Sequence, residues 1–201
     1  MDKLAIREAL HNYHIIVDAG HGWDTAGKRS TDDSLRENEF NSAVQDKVGF
    51  MLGVSGVSYT MLANGWKDEN LNDRVNEEHR IFSETGKTVL GISIHADAFT
   101  EPTAHGITTF YYSKSGKELG ISIHDKIMHR NIENKTIVKN RGVRQQNFAM
   151  LKRTKGIWIL LESGFMTNVR DLNYLLRDSY RNELALSIVE GFVNYSNKSH
   201  R

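Results

Sequence analysis

The chain has 201 residues, with 26 Lys and Arg against 25 Asp and Glu, so its formal net charge at pH 7 is +1. This balance lacks the basic signature of a nucleic-acid-binding protein, and we expect no nucleic-acid partner. At 39% hydrophobic and 25% charged residues, the chain suits one domain with a buried core, and the absence of cysteine excludes disulfides and thiolate metal ligands.

The N-terminal segment does not resemble a targeting sequence. Residues 1–13 interrupt their few apolar residues with Arg7, Glu8 and His11, so they lack the apolar centre of a signal peptide. No stretch of the chain approaches the length of a membrane span. We expect a protein that is synthesised in the cytoplasm without its own export signal, and a monomer, with residues 1–13 leading into the first strand.

Strand and helix patterns alternate along the chain. Runs of β-branched, aromatic and other apolar residues predict strands, and apolar residues spaced three and four apart predict helices. In chain order, the predicted elements are strand Tyr13–Asp18, helix Glu37–Leu52, strand Val57–Leu62, helix Leu71–Phe82, strand Val89–Ile94, strand Ile107–Tyr112, helix Lys117–His129, strand Phe148–Leu151, strand Ile157–Leu161, helix Arg170–Leu176 and helix Arg181–Tyr195. This alternation predicts an α/β fold in which helices cover both faces of a twisted, mostly parallel sheet.

The first predicted strand ends in a turn that presents a histidine. In the sequence HIIVDAGHGW, the apolar run ends at Asp18, and His21 follows between Gly20 and Gly22. Side chains at the carboxyl ends of strands line the ligand crevice of an α/β sheet, so His21 is a candidate site residue. A histidine between two glycines also fits an ordinary surface turn, and this segment alone does not decide between the two interpretations.

Two later strands end in the same way. The apolar run 89–94 leads into His95, and the apolar run 157–161 leads into Glu162. A carboxylate directly after such a run is costly at the edge of a core unless it is paired, bound to a metal or functional. An ion pair with Lys or Arg is the alternative explanation for Glu162. Three strand ends that carry His, His and Glu predict a metal-assisted hydrolase.

Two histidines call for a third ligand with a carboxylate. Zinc hydrolases usually hold the metal with three protein ligands, such as two His and one Glu, and leave a fourth position open. The candidates are Glu37 and Glu39, which open the helical pattern in SLRENEFNSAV. A carboxylate at a helix start is also favourable for the helix dipole. Helical periodicity does not choose between Glu37 and Glu39.

Four motifs together resemble one enzyme family. They are VDAGHG around His21, a Glu-x-x-x-Asn pattern formed by Glu37 and Asn41, SIHAD around His95, and LLESGFMTN around Glu162. These motifs, and the order in which they occur, resemble those of the zinc-dependent N-acetylmuramoyl-L-alanine amidases of the amidase-3 type. These are cell-wall hydrolases found in bacterial autolysins and phage endolysins.

The resemblance implies roles for individual residues. His21, Glu37 and His95 would bind Zn²⁺, and Glu162 would be the catalytic carboxylate. The resemblance favours Glu37 over Glu39, because the family's ligand Glu lies four residues before the Asn. The implied activity is hydrolysis of the amide between N-acetylmuramic acid and L-alanine in peptidoglycan by zinc-activated water, with Glu162 as general base. Such an enzyme acts on the bacterial cell wall, and a phage-encoded one would be released by a separate membrane lesion.

The four motifs span residues 14–176, and we predict a single catalytic domain over residues 1–201.

Two other functions fit some of the same residues. A zinc amide hydrolase of the carboxypeptidase type would need a positioned arginine for the substrate carboxylate, and Arg74 is a candidate. A zinc-containing wall-binding module without turnover would need the three ligands but no buried base. Glu162 is the residue that separates the catalytic from the binding hypothesis.

The tryptophans add a prediction about the surface near the site. Trp23 lies two residues after His21. If its ring is exposed, we expect it to stack on a sugar or a peptide; if its ring is buried, we expect it to anchor the loop. We expect Trp66 and Trp158 to pack inside the protein.

Overall fold

The computed structural model describes residues 2–63, 66–134, 136 and 138–199. Within these residues the elements, in chain order, are α1 Lys3–Leu10, β1 Tyr13–Ala19, α2 Glu37–Val54, β2 Tyr59–Leu62, α3 Leu71–Thr85, β3 Thr88–Asp97, β4 Ile107–Tyr111, α4 Lys114–Glu133, β5 Asn140–Gln145, α5 Ala149–Lys152, β6 Ile157–Phe165, α6 Val169–Leu175 and α7 Asp178–Ser199. Helices therefore alternate with strands over most of the chain.

The strands of the described residues form one sheet in the order β2-β1-β3-β6-β4-β5. Strands β2, β1, β3 and β6 run parallel to one another. Strand β4 is antiparallel to β6 and parallel to β5, so β4 and β5 run in the opposite direction. The predicted α/β fold with a mostly parallel sheet is confirmed. Every helix in the described part of the chain is too short or too polar to span a bilayer.

The central strands are buried on both faces, and their side chains alternate between two apolar clusters. Val17 and Ile92 belong to a large cluster with residues of α1, α2, α4, α6 and α7. Ile16 and Leu160 belong to a smaller cluster on the other face, with residues of α3 and α5. Helices therefore cover both faces, as the continuous apolar strands predict.

The face that carries the smaller cluster changes from apolar to polar at the carboxyl ends of the strands. Because successive side chains in a strand point to opposite faces, residues two apart share a face. Continuing in steps of two from Ile16, Val89 and Leu160, this face carries Asp18, Ser93, His95 and Glu162. The fold therefore gathers these four polar side chains on one face of the sheet, at the carboxyl ends of the central strands.

The prediction of a strand at Phe148–Leu151 is wrong. Residues Ala149–Lys152 form the short helix α5, which begins after Phe148. The adjacent residues Met150 and Leu151 are both buried in the smaller cluster, whereas a half-buried strand would bury alternate residues. A short apolar run does not distinguish a buried strand from one buried turn of helix.

Two elements were not predicted. Residues expected to lead into the first strand form helix α1, which is capped by the Asp2 side chain and buries Ile6 and Leu10 on one face. Strand β5, with the sequence NRGVRQ, lies at the edge of the sheet and is partly exposed along its length. An exposed edge strand lacks the apolar alternation on which strand prediction depends.

Candidate metal centre

The tight turn after β1 carries His21 between two glycines, and close contacts leave no room for a side chain at either glycine. A Cβ on Gly20 would lie 2.1 Å from Cε1 of His95, and a Cβ on Gly22 would lie 2.2 Å from the backbone nitrogen of Asp68. His21 itself has a φ of 61°, in the left-handed region that non-glycine residues adopt at a cost. The turn therefore depends on neighbouring groups to hold its backbone.

Helix α2 holds this turn through side chains on one of its faces. Asn38 Nδ2 donates a hydrogen bond to the His21 carbonyl oxygen at 2.8 Å, and Asn41 Nδ2 donates to the Gly20 carbonyl oxygen at 2.9 Å. One turn further along, Gln45 Nε2 donates to one carbonyl oxygen in β1 and to one in β2. The helix thus presents a buried polar stripe to the edge of the sheet where the site lies.

Three potential metal ligands converge at the carboxyl ends of the central strands. His21 Nε2 lies 3.5 Å from Glu37 Oε2, and His95 Nδ1 lies 3.0 Å from Glu37 Oε1. One donor atom from each of the three side chains lies within 4.8 Å of the others. Donor atoms around a tetrahedral zinc ion are roughly 3.3 Å apart, given bond lengths of about 2.0–2.2 Å. Two imidazole nitrogens and one carboxylate oxygen at these spacings fit a zinc site.

The electrostatics of the three side chains favour an ionised carboxylate. Burial lowers the pKa of His21. Burial also opposes ionisation of Glu37, but its hydrogen bond with His95 and the nearby positive charges outweigh that effect and lower the pKa of Glu37. The same hydrogen bond, together with the charge of Glu162, overcomes burial and raises the pKa of His95. Glu37 is therefore held in the form that ligates a cation.

Ser93 and Asp18 orient the imidazole of His95. Ser93 Oγ donates a hydrogen bond to Asp18 Oδ2 at 2.5 Å and lies 3.1 Å from His95 Nε2. Because the single hydroxyl proton is directed to Asp18, the serine oxygen accepts from His95 Nε2. This arrangement leaves Nδ1 as the ring nitrogen that faces Glu37, in the way that outer hydrogen bonds orient a metal-binding histidine.

Arg74 of α3 balances the buried charge of Asp18. Its Nη1 donates to Asp18 Oδ1 and to the Ala19 carbonyl oxygen, each at 2.9 Å. Its Nη2 donates to Asp68 Oδ1, and its Nε donates to the Glu69 carbonyl oxygen, again at 2.9 Å each. All three guanidinium nitrogens are engaged in a side chain that is only 3% exposed. Arg74 is therefore a structural partner of the site, and four of its five N–H groups are already used by these contacts.

Glu162 lies beside the three potential ligands. It is the register partner of His95 on the neighbouring strand. Its Oε2 atom is buried and accepts no hydrogen bond from any described residue. Burial raises the pKa of Glu162 to about 8, His95 opposes the shift, and the negative charges of Glu37 and Asp97 add to it. A carboxyl oxygen that is free of partners, in a cleft and with a raised pKa, is a candidate for proton transfer.

The site opens into a cavity of about 570 Å³. This volume is in the range of pockets that hold small ligands. Leu71, Phe148 and Met150 form an apolar part of its wall. Lys28 also lines it, with Nζ 3.7 Å from Glu37 Oε2. The cavity therefore combines a polar floor with an apolar wall, so it suits a substrate with both kinds of surface.

The family of the chain follows from comparison with known proteins. The sequence model of the Amidase_3 family, described as N-acetylmuramoyl-L-alanine amidase, matches residues 15–194. The chain belongs to this family. The resemblance seen in the four motifs is therefore confirmed, and it extends over nearly the whole chain.

Individual relatives are similar over much of this chain. It is 28% identical over 195 residues to the probable cell wall amidase LytH of Staphylococcus epidermidis, which covers 96% of this chain and 62% of that protein. It is 28% identical over 185 residues to the N-acetylmuramoyl-L-alanine amidase LytC of Bacillus subtilis, which covers 90% of this chain and 35% of that protein. The chain thus spans less than two thirds of the length of these relatives.

A solved structure shares the fold. The N-acetylmuramoyl-L-alanine amidase AmiC2 of Nostoc punctiforme superposes with a TM-score of 0.81 at 27% identity. The superposition covers 94% of this chain and 98% of that chain. The sheet and helices described above are therefore an amidase catalytic-domain fold.

The structure brings the four predicted site residues together. His21, Glu37 and His95 form the cluster, and Glu162 is adjacent to it. Glu39 points elsewhere, since its side chain is 42% exposed and its Oε1 lies 3.5 Å from Nη2 of Arg181. The assignment of ligand and base roles to these residues stays a prediction.

Several residues that build the site were not predicted. Asp18 and Ser93 are polar residues within mostly apolar strands. Because Ser93 precedes His95 by two residues, strand alternation predicts that both side chains lie on the same face. Nothing local marked Asp68 as a partner of Arg74. The prediction that Trp158 packs is confirmed, but Trp66 is 69% exposed, so the same prediction for Trp66 is wrong.

Proposed function

We propose that the chain hydrolyses the amide bond between N-acetylmuramic acid and L-alanine in the peptidoglycan of the bacterial cell wall. In this proposal His21, Glu37 and His95 hold zinc, and Glu162 is the general base. The observation that carries it is the buried, unpartnered Oε2 of Glu162 beside three converging ligand side chains. Family membership supports the choice of bond, since the matching family is described as N-acetylmuramoyl-L-alanine amidase.

The residues around the ligands preorganise the site before substrate binds. Asn38 and Asn41 fix the backbone of the turn that carries His21. Ser93 fixes the ring of His95. When bound, zinc would supply Lewis acidity, polarising the amide carbonyl and making water acidic enough to lose a proton at neutral pH.

Glu162 moves the proton that hydrolysis requires. It accepts a proton from the attacking water as the water oxygen bonds to the amide carbon. When the carbon–nitrogen bond breaks, it returns that proton to the leaving nitrogen. The products are the lactyl carboxylic acid on the sugar and the free amine of L-alanine. Proton transfer by a positioned side chain contributes roughly 10² to 10⁴ in rate, and Oε2 has no competing hydrogen bond among the described residues.

The two alternative functions are less well supported by the contacts. A carboxypeptidase of this type needs a positioned arginine for the terminal carboxylate of its substrate, and every guanidinium nitrogen of the candidate Arg74 already donates to Asp18, Asp68 or a backbone carbonyl. A module that only binds the wall gains nothing from the buried carboxyl of Glu162, which costs free energy to keep without a partner.

Mass analysis of digested peptidoglycan tests the proposal. Purified peptidoglycan is incubated with the chain and zinc, and soluble and insoluble products are analysed by mass spectrometry. We expect peptide-free glycan strands and stem peptides that begin with free L-alanine. Release of a C-terminal amino acid with the sugar–peptide linkage intact would instead identify a carboxypeptidase. Sedimentation with the wall in the absence of any product would identify a binding module.

A further inference from the structure

Two tryptophans form an exposed stack next to the turn that carries His21. The rings of Trp23 and Trp66 lie 5.1 Å apart between centroids, with an interplanar angle of 27°. Trp66 is 69% exposed, whereas Trp23 is half-buried and has the Arg36 guanidinium 5.0 Å from its ring centre. Trp23 therefore supports Trp66, and Trp66 presents a large flat apolar surface to solvent.

Hydrogen bonds connect this stack to the cavity of the candidate metal site. Trp23 N donates to the Trp66 carbonyl oxygen at 2.9 Å, so the two loops are paired through their backbones. Asp68 N donates to Asp24 Oδ1 at 2.8 Å, and Thr25 Oγ1 donates to Asp68 Oδ2 at 2.5 Å. Asp68 lines the cavity and also accepts from the buried arginine of the site. The position of the exposed indole is thus set by the same contacts that build the cavity.

A flat, rigid indole surface suits a sugar ring. One face of a pyranose carries mainly C–H groups, which pack on an aromatic face, while the hydroxyls around its rim need polar partners. Arg36 and the exposed Asp24 lie next to the stack and offer such partners. Because Trp23 already restricts the Trp66 ring, less rotamer entropy is lost when a ligand binds. A peptide backbone offers no comparable flat apolar face.

We propose that the Trp23–Trp66 stack is a carbohydrate subsite, in which the exposed face of Trp66 packs on a pyranose ring of the glycan strand. This inference rests on the proposed function and deepens it, because it assigns the glycan arm of the substrate to this side of the cavity. The subsite adds affinity for the polymer and takes no part in proton transfer.

Binding of a peptide-free sugar tests the subsite without requiring hydrolysis. The probe is a tetrasaccharide of alternating N-acetylglucosamine and N-acetylmuramic acid, which lacks the scissile amide. Its affinity is measured by titration calorimetry for the wild-type chain, Trp66→Ala, Trp66→Phe and Phe50→Ala. Phe50 is a matched control, since this aromatic residue of α2 is also 69% exposed. Thermal unfolding of each variant verifies that the fold is retained.

We expect Trp66→Ala to weaken tetrasaccharide binding about tenfold, the effect of losing one aromatic stacking contact. Trp66→Phe should recover part of the affinity, and Phe50→Ala should bind as the wild type does. Equal affinities for wild type and Trp66→Ala would overturn the inference, and so would a Trp66-dependent affinity for free stem peptide alone. Trp66-dependent sugar binding by a chain that fails to cleave peptidoglycan would support the subsite while refuting the proposed hydrolysis.

Discussion

Glu162 and His95 are register partners on the neighbouring parallel strands β6 and β3, so their side chains leave the same face of the sheet next to each other. This pairing puts the proposed base beside a proposed ligand without any contribution from loop conformation. Each also shifts the other's proton affinity, since Glu162 acts to raise the pKa of His95 and His95 acts to lower the pKa of Glu162.

Replacing Glu162 by Gln should separate catalysis from metal binding. Glu162→Gln keeps the shape of the side chain but removes the basic carboxylate, so turnover of peptidoglycan should fall by at least about 10². Zinc content and the free energy of unfolding should not fall, because Oε2 accepts no hydrogen bond from the described residues. Elemental analysis, denaturant unfolding and a turnover assay measure the three quantities.

A matched control for this variant is Glu118→Gln, which changes an exposed glutamate of α4 and should leave turnover unchanged. Loss of zinc from Glu162→Gln would show that Glu162 is a ligand, and full activity would assign proton transfer to another residue.

Glu37 and Glu39 should differ sharply in their effect on zinc affinity. Glu37→Ala removes the carboxylate that lies against His21 and His95, whereas Glu39→Ala removes a half-exposed partner of Arg181. We expect Glu37→Ala to weaken zinc binding by more than the roughly 10- to 100-fold that follows loss of an outer hydrogen-bond partner. Glu39→Ala should bind zinc as the wild type does. Competition with a chromogenic chelator measures both, and the opposite order would contradict the proposed ligand set.

Arg74 should be far more important for stability than a surface arginine on the same helix. Arg74→Met leaves Asp18 buried without its charged partner, which costs about 3–5 kcal/mol in buried pairs. Arg80→Met, also on α3, removes only exposed pairs with Glu77 and Glu84, so its effect should be within about 1 kcal/mol. Urea unfolding of the metal-free proteins compares them. Similar midpoints for the two variants would refute a structural role for the Arg74–Asp18 pair.

Mild acid should destabilise the fold through His124 of α4. Burial lowers the pKa of His124 below its ordinary value of 6.5, although its hydrogen bond with Asn140 opposes the shift. The unfolded chain therefore binds a proton here at a higher pH than the folded chain does. The stabilising effect is complete above pH 6.5 and is lost as the pH falls through the lower folded pKa.

Unfolding free energies at pH 8 and pH 5 measure this effect in the metal-free protein. His124→Gln should reduce the loss of stability between the two values. His129→Gln, at an exposed histidine of the same helix, should lose as much stability as the wild type. An unchanged pH dependence in His124→Gln would show that His124 is not responsible.

Local patterns in the sequence predicted most of the fold. Strands β1, β3 and β6 each contain an apolar run that is followed by polar residues toward the carboxyl end of the strand, because each strand is buried on both faces and reaches the site at that end. The same feature identified His21, His95 and Glu162 as candidates. Such predictions succeed because burial and side-chain alternation act on neighbouring residues, whose identities are read directly from the chain.

Contacts between distant segments decided the rest. Periodicity alone left Glu37 and Glu39 equivalent, and the packing of α2 against β1 placed Glu37 with the histidines and Glu39 near Arg181. The short apolar run at α5 took its conformation from the cluster it packs into. The exposed Trp66 is held by its backbone pairing with Trp23. Each outcome depends on which residues meet in three dimensions, so tertiary packing sets it and local sequence does not.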